Sequence, residues 1–310
     1  MRAVLLGTEE GMRAFALDGS AAAATVELDG RDVTALAEGP GGLWAILDGK
    51  ALARRDDADL GRGTWTEVAR VRVMQAQCLH AAADTVLVGT SEAHLVALDG
   101  DRLAVVDAFE SAEGRDTWYT PWGGPPDVRS LAQVDGTRYV NVHVGGILRS
   151  AALEGPWVAT IDVDADVHEV RVHPDGTVYA AAAGGLAIST DGGEEWMTAH
   201  EGLQGRYCRA VAFAGDAVLV SASTGPFSST GAVYRRALGS GGAFEKCEQG
   251  LPEWFAGNVD TGWLDGSGEI SAVAGPDGTL YLSEDAGASW RQVAAGLPEP
   301  RSVRVTAISR

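Results

Sequence analysis

The stretches "LAISTDGGEEW" (Leu186–Trp196) and "LYLSEDAGASW" (Leu280–Trp290) share one layout: a short alternating strand, a turn, and a tryptophan just beyond the turn. Both read Ser-x-Asp-x-Gly-x-x-Trp, with Ser189, Asp191, Gly193 and Trp196 in one and Ser283, Asp285, Gly287 and Trp290 in the other. A duplicated box means a chain made of repeated units, which constrains a fold more than any single element does. Around the first box, "VHEVRVHPDGTVYAAAAGGLAISTDGGEEWMTAH" breaks into four short apolar runs at Asp-Gly, Gly-Gly and Asp-Gly-Gly turns. Glycine reaches positive φ without a Cβ clash, so such turns suit tight antiparallel hairpins. The pattern predicts strands over 167–173, 177–182, 186–189 and 195–198, innermost first.

The same order recurs along the chain. Trp65, Trp157, Trp196 and Trp290 end four of the units, Phe244 takes that place in a fifth, and the unit around Val86–Phe109 keeps four runs without the box. These markers fall about 40 to 50 residues apart, the spacing of four-stranded propeller blades. The N-terminal segment "RAVLLGTEEGMRAFALDGSAAAATVEL" holds three strands and lacks an inner one, whereas the C-terminal "RSVRVTAIS" is an inner-type strand without a blade. Pairing Val303–Ile308 with Arg2–Leu6 supplies a seventh blade and leaves no open sheet edge. The expected fold is all-β: residues 1–310 as one seven-bladed β-propeller of four-stranded antiparallel blades, closed by the C-terminal strand joining the N-terminal blade.

The two boxes resemble the Asp-box of BNR/sialidase-like and sortilin-like propellers, part of the wider WD40/YVTN-like group. "SAALEGPW" (Ser150–Trp157) keeps only the first and last positions of the motif. Physically the box is a folding device, in which the carboxylate accepts N–H groups of its own turn and the indole fills space between sheets. The resemblance places the box on the face away from the ligand site, so Asp191 and Asp285 are not expected to act chemically. It also implies glycoside hydrolysis. Arg129, Arg209 and Arg304 stand in for an arginine triad, Tyr207 for a nucleophile, and Asp127 or Asp260 for an acid. The sialidases are typically six-bladed, and their spacing is not reproduced here.

Candidate ligand residues lie on the connections into the inner strands and on the second-to-third hairpins. "DTWYTPWGGPPDVRS" carries Trp118, Tyr119, Trp122 and Asp127, "GLQGRYCR" carries Tyr207 and Arg209, and "GLPEWFAGNVD" carries Trp254 and Asp260. Flat apolar faces with charged groups between them suit a sugar or another polar ring. Aligning the inner strands by apolar pattern puts Gln77, Arg129, His168, Cys208, Asp260, Arg304 and Val33 at one level, and six of these seven are polar or ionisable. His143 precedes a hairpin with Asn141 two residues earlier on the same strand face, and Asp166 precedes His168 by two.

His143, Asp166 and His168, with Asp260, are therefore the expected reacting groups, since a carboxylate beside an imidazole suits general base work. Hydrolysis would pair two carboxylates such as Asp127 or Asp166 with Asp260. A lyase would use a histidine base with Arg129 and Arg304 on the developing anion. No cofactor is required, and the same trio leaves a divalent metal at the mouth as an alternative. A noncatalytic binding or assembly module, with a protein partner, stays open as well.

Composition narrows the partners. The chain has 24 Lys plus Arg against 43 Asp plus Glu, a formal charge of -19 with no basic block to reverse it, so nucleic acid and anionic membranes are repelled. No apolar run has membrane-spanning length. Cys78, Cys208 and Cys247, an odd and scattered set, point to a reducing compartment, and "MRAVLLGT" offers no signal-peptide core. A cytoplasmic monomer acting on a small molecule, with carbohydrate as the leading class, is the expectation.

Overall fold

The computed structural model describes residues 2–17, 24–55 and 63–307. They form seven four-stranded antiparallel sheets, and the inner strand of each packs against the inner strands of its two neighbours, which closes a ring. The molecule is a seven-bladed β-propeller. Blade 1 joins Arg2–Thr8, Gly11–Ala16 and Thr25–Glu27 to the C-terminal strand Pro300–Ala307. The closing register runs from Leu6 opposite Val303 to Arg2 opposite Ala307, as the unpaired inner strand predicts; Ile308 lies outside the described residues.

The other inner strands are Val33–Gly39 in blade 2, Ala76–Ala81 in blade 3 and Val128–Val134 in blade 4. Val167–Val172, Tyr207–Ala214 and Leu264–Ser267 follow in blades 5, 6 and 7. Blade 3, the unit with neither box nor tryptophan, continues through Val86–Thr90, Leu95–Asp99 and Arg102–Val105. In blade 5 the remaining strands are Val178–Ala182, Gly185–Ser189 and Met197–Ala199, within two residues of the sequence expectation. Alternating side chains fill the gaps between blades. Val167, Val170, Val178 and Ala180 are fully buried against Tyr139 and Ile147 of blade 4.

Both boxes fold as turns between third and fourth strands. Ser189 Oγ donates to Asp191 Oδ1 (2.8 Å) and accepts from Gly193 N (2.7 Å), while Asp191 Oδ1 also accepts from the amides of Glu194 and Glu195. Asp285 repeats this, accepting from Ser283 Oγ and from the amide and hydroxyl of Ser289. Gly287 has φ +81°, and a Cβ there would lie 2.6 Å from Leu219 of blade 6, so both conformation and space demand glycine. The two tryptophans fare differently. Trp290 is 6% exposed and its indole N–H donates to Gly287 O at 3.0 Å. Trp196 is only half-buried and its indole nitrogen has no partner.

One regularity was not visible in the sequence. Six of the seven inner strands carry a β-bulge near their first residues. It pushes out Arg301, Thr34, Gln77, Arg129 and His168 in turn, and the pair Arg209–Ala210 in blade 6. A bulge bends its strand and re-aims the extra residue, so a ring of bulges directs a ring of side chains.

Candidate functional site at the channel mouth

The site is assembled where blades 4, 5 and 6 meet. His143 follows the second strand of blade 4 in a hairpin whose next residue, Val144, has φ +49°. A β-branched residue seldom adopts that conformation. Asp166, also at φ +49°, ends the short 3-10 turn Val163–Ala165 that leads into blade 5. Two strained residues therefore hold the two sides of the site, as is common where geometry serves a function.

Asp166 Oδ1 lies 3.1 Å from His143 Nε2 and 3.6 Å from His168 Nε2. His168 is fully buried and His143 is 2% exposed, whereas the Asp166 side chain keeps 26% exposure and so marks the open side. His168 Nδ1 is 2.7 Å from Cys208 O. A carbonyl only accepts, so Nδ1 carries the hydrogen and Nε2 presents a lone pair toward Asp166. The His168 ring packs at a tilt against Tyr207 (4.6 Å between centroids) and the His143 ring lies beside Trp122 (5.2 Å).

Tyr207 is covered in turn by the Arg209 guanidinium, 5.4 Å from its ring, and Arg209 is fixed by Asp260 at 2.7 Å. Asp127 joins through its backbone, accepting from His143 N at 2.9 Å. Thr261, overlooked in the sequence, ties blade 7 to the group by donating to the carbonyls of His168 and Arg209. Arg129, half-buried in the channel wall, makes no hydrogen bond or ion pair among the described residues.

Burial, reinforced by Arg129 and Arg209, outweighs Asp166 and pushes His168 down to about 4, so it is neutral at physiological pH. Burial opposes the Asp166 charge, but its neighbours His143, His168 and Arg129 together hold its carboxyl below the usual range. Burial raises Asp127 and lowers Arg129, the latter against the pull of Asp260. Burial likewise raises the Tyr207 phenol, which stays a neutral hydrogen-bond donor.

The structure draws other candidates elsewhere. Trp118 packs on Phe109 (5.7 Å) under Arg115, on the flank of blade 4. Trp254 covers Lys246 of an outer strand, with Nζ 3.7 Å from its ring. Tyr119 is exposed and braces its loop by donating to Asp164. Asn141 is fully buried and both its side-chain polar atoms lack partners. Arg304 sits deeper in the channel, bonded to Leu36 O and Asp265, because the bulge at Arg301 shifts the register of its strand. The same displacement puts Arg209 and Thr34, rather than Cys208 and Val33, at the level of Arg129 and His168.

Below the mouth, Arg171 bridges Glu169 (2.8 Å) and Asp265 (3.3 Å), and Asp265 also meets Arg304 (3.4 Å). This charged plug leaves a channel cavity of about 80 Å³, far below the ~300 Å³ of a small ligand pocket. A ligand would thus rest above the channel. Larger clefts, of about 700 and 630 Å³, lie between outer strands of blades 2 and 3 and of blades 5 and 6, and none of the candidate residues lines them. No helix of the described residues is long and apolar enough to cross a membrane.

No family model matches the chain, and no curated protein does. Solved structures do. A candidate 6-phosphogluconolactonase from Bacteroides uniformis superposes with a TM-score of 0.71 at 14% identity, covering 98% of this chain and 99% of that one. A second, from Bacteroides fragilis, gives 0.65 at 11% identity, covering 99% and 98%. YCF48 bound to a D1 peptide gives 0.58 at 14% identity, covering 94% and 84%. The likeness is one of fold. At these identities no neighbour's chemistry passes to this chain residue by residue.

Proposed function

We propose that the channel mouth binds a small anionic, polar-ringed molecule of the sugar-acid or sugar-lactone class and acts on it through His143, Asp166 and His168. The observation that carries this reading is Arg129: a guanidinium drawn partly from solvent without a carboxylate of its own, beside a group of imidazoles and a carboxylate. An unpaired cation in that position favours an anionic ligand. Trp122, 64% exposed above His143, supplies a flat apolar face for a ring. Neutral His168 or Asp166 would take a proton from water or from the substrate, for hydrolysis or elimination respectively. A phosphorylated sugar lactone of the kind named for two fold neighbours would match both features, an anion for Arg129 and a carbonyl for attack.

Thermal-shift and calorimetric screening against sugar acids, uronic acids and lactones tests the reading. Binding should be lost in Arg129→Ala, and turnover should fall by roughly 100- to 10,000-fold in His168→Gln with modest change in affinity. A ligand bound equally well by Arg129→Ala would refute it. A noncatalytic peptide-binding mouth is the second reading, favoured by Phe227, 95% exposed on the rim near Arg209, and by the peptide-bound neighbour of the same fold.

Three further assignments belong with this proposal. The paired Ser-Asp-Gly turns support membership of the Asp-box propellers and keep Asp191 and Asp285 at the end opposite the mouth. Free, buried cysteines fit a reducing, cytoplasmic setting. With every outer edge strand six residues or fewer and the inner edges packed in the closed ring, a monomer is the natural state.

A further inference from the structure

We propose that His143, Asp166 and His168 bind one divalent transition-metal ion, with their open side toward the channel mouth. One donor atom from each residue lies within 4.8 Å of the others. Zinc bonds of about 2.0–2.2 Å in tetrahedral array set neighbouring donors roughly 3.3–3.5 Å apart. The separations of 3.1 and 3.6 Å from Asp166 Oδ1 straddle that value.

The decisive feature is what these atoms lack. His168 Nε2 and Asp166 Oδ1 are buried and neither has a hydrogen-bond partner, so the approach of His143 to Oδ1 is not an aligned hydrogen bond. With its hydrogen fixed on Nδ1 by the Cys208 carbonyl, His168 aims one lone pair at another across 3.6 Å. Two buried acceptors facing each other need a positive species between them. An imidazole whose other nitrogen donates to a backbone carbonyl is also the usual arrangement of a metal-binding histidine.

Two imidazoles and one carboxylate select zinc, cobalt, nickel, manganese or iron, and disfavour calcium and magnesium, which take oxygen ligands. Arg129 and Arg209 oppose a cation here, and Asp260 and Asp127 offset them. The remaining coordination positions face the side on which Asp166 is exposed, where Trp122 and Tyr207 stand. The ion's part in turnover rests on the reading above; its binding does not.

Untagged full-length protein, stripped with a chelator and dialysed, should take up one equivalent of Zn²⁺ by elemental analysis. Co²⁺ should give the visible d–d bands of a nitrogen–oxygen site. Asp166→Asn is nearly isosteric and partly exposed, so it should fold, verified by circular dichroism, and lose affinity by at least about 100-fold. His168→Gln should do the same, whereas Arg129→Ala should keep the metal while losing anion binding. Substoichiometric uptake of Zn²⁺, Co²⁺, Mn²⁺ and Ni²⁺ by the wild type would overturn the site, as would unchanged affinity in folded Asp166→Asn. Anion binding lost in Arg129→Ala from a metal-free wild type would overturn the site and leave the substrate reading standing. Stoichiometric metal with no anion bound anywhere would do the reverse.

Discussion

Replacing Trp290 and Trp196 by alanine should have unequal costs, although the two residues close identical boxes. Trp290 is 6% exposed, lies among Leu219, Leu251 and Phe255, and donates its indole N–H to Gly287 O. Emptying such a site costs about 3–5 kcal/mol, and the abandoned carbonyl adds about 1 kcal/mol. Trp196 is half-buried and its indole nitrogen is already unpartnered, so its removal forfeits only partial apolar burial, about 1–2 kcal/mol. Chemical denaturation followed by circular dichroism would compare the midpoints of both variants and of the double variant. The boxes belong to blades 5 and 7, which are not neighbours in the ring and meet through Arg171 and Asp265 in the channel, away from the box turns, so the losses should add to within about 0.5 kcal/mol. Equal losses, or a larger loss at Trp196, would show that burial at the turn does not set the contribution of the box tryptophan.

Two other outcomes follow from ionisable groups outside the His143–Asp166–His168 cluster. Hydrogen bonds from the Ser289 hydroxyl and amide hold Asp285 below its ordinary carboxyl range, so it stabilises the fold fully above about pH 3.8. That contribution is lost as pH falls through the lower folded value. The stability difference between wild type and Asp285→Asn should therefore be present at neutral pH and vanish in strong acid, and a pH-independent difference would contradict this. Burial pushes Cys78, Cys208 and Cys247 up to about 12, so none should react with a thiol reagent at mildly alkaline pH until denaturant is added. Titration of a thiol in the native protein would count against their packing.

The blades were legible because each strand is short, alternates with period two, and ends in a glycine turn. Trp157 and Phe244 are buried as the repeat predicts. The His143–Asp166–His168 group was legible too, since a spacing of two and a hairpin position are local facts. What escaped the sequence is the bulge. An extra residue leaves the apolar pattern intact on one side and slips it on the other, so Arg304, Cys208 and Val33 were aligned with residues they do not accompany. Trp118 and Trp254 escaped for another reason: a loop aromatic packs on whichever flank is nearer, and Phe109 and Lys246 were nearer than the mouth. Glu169 and Arg171 were readable in hindsight, because an innermost strand has only the channel in which to place charge.

Blade 1 takes its strands from both ends of the chain, with Arg2 opposite Ala307. The inner strands enter at the mouth and run away from it, so this pair lies at the far end of the ring, on the side of the box turns. A peptide linker or a neighbouring protein attached at either end would emerge there and leave Trp122 and Arg129 unobstructed. A short linker could also join the two ends without crossing the ring. The chain could then be opened at any exposed hairpin on that far side, with the order of blades around the axis unchanged.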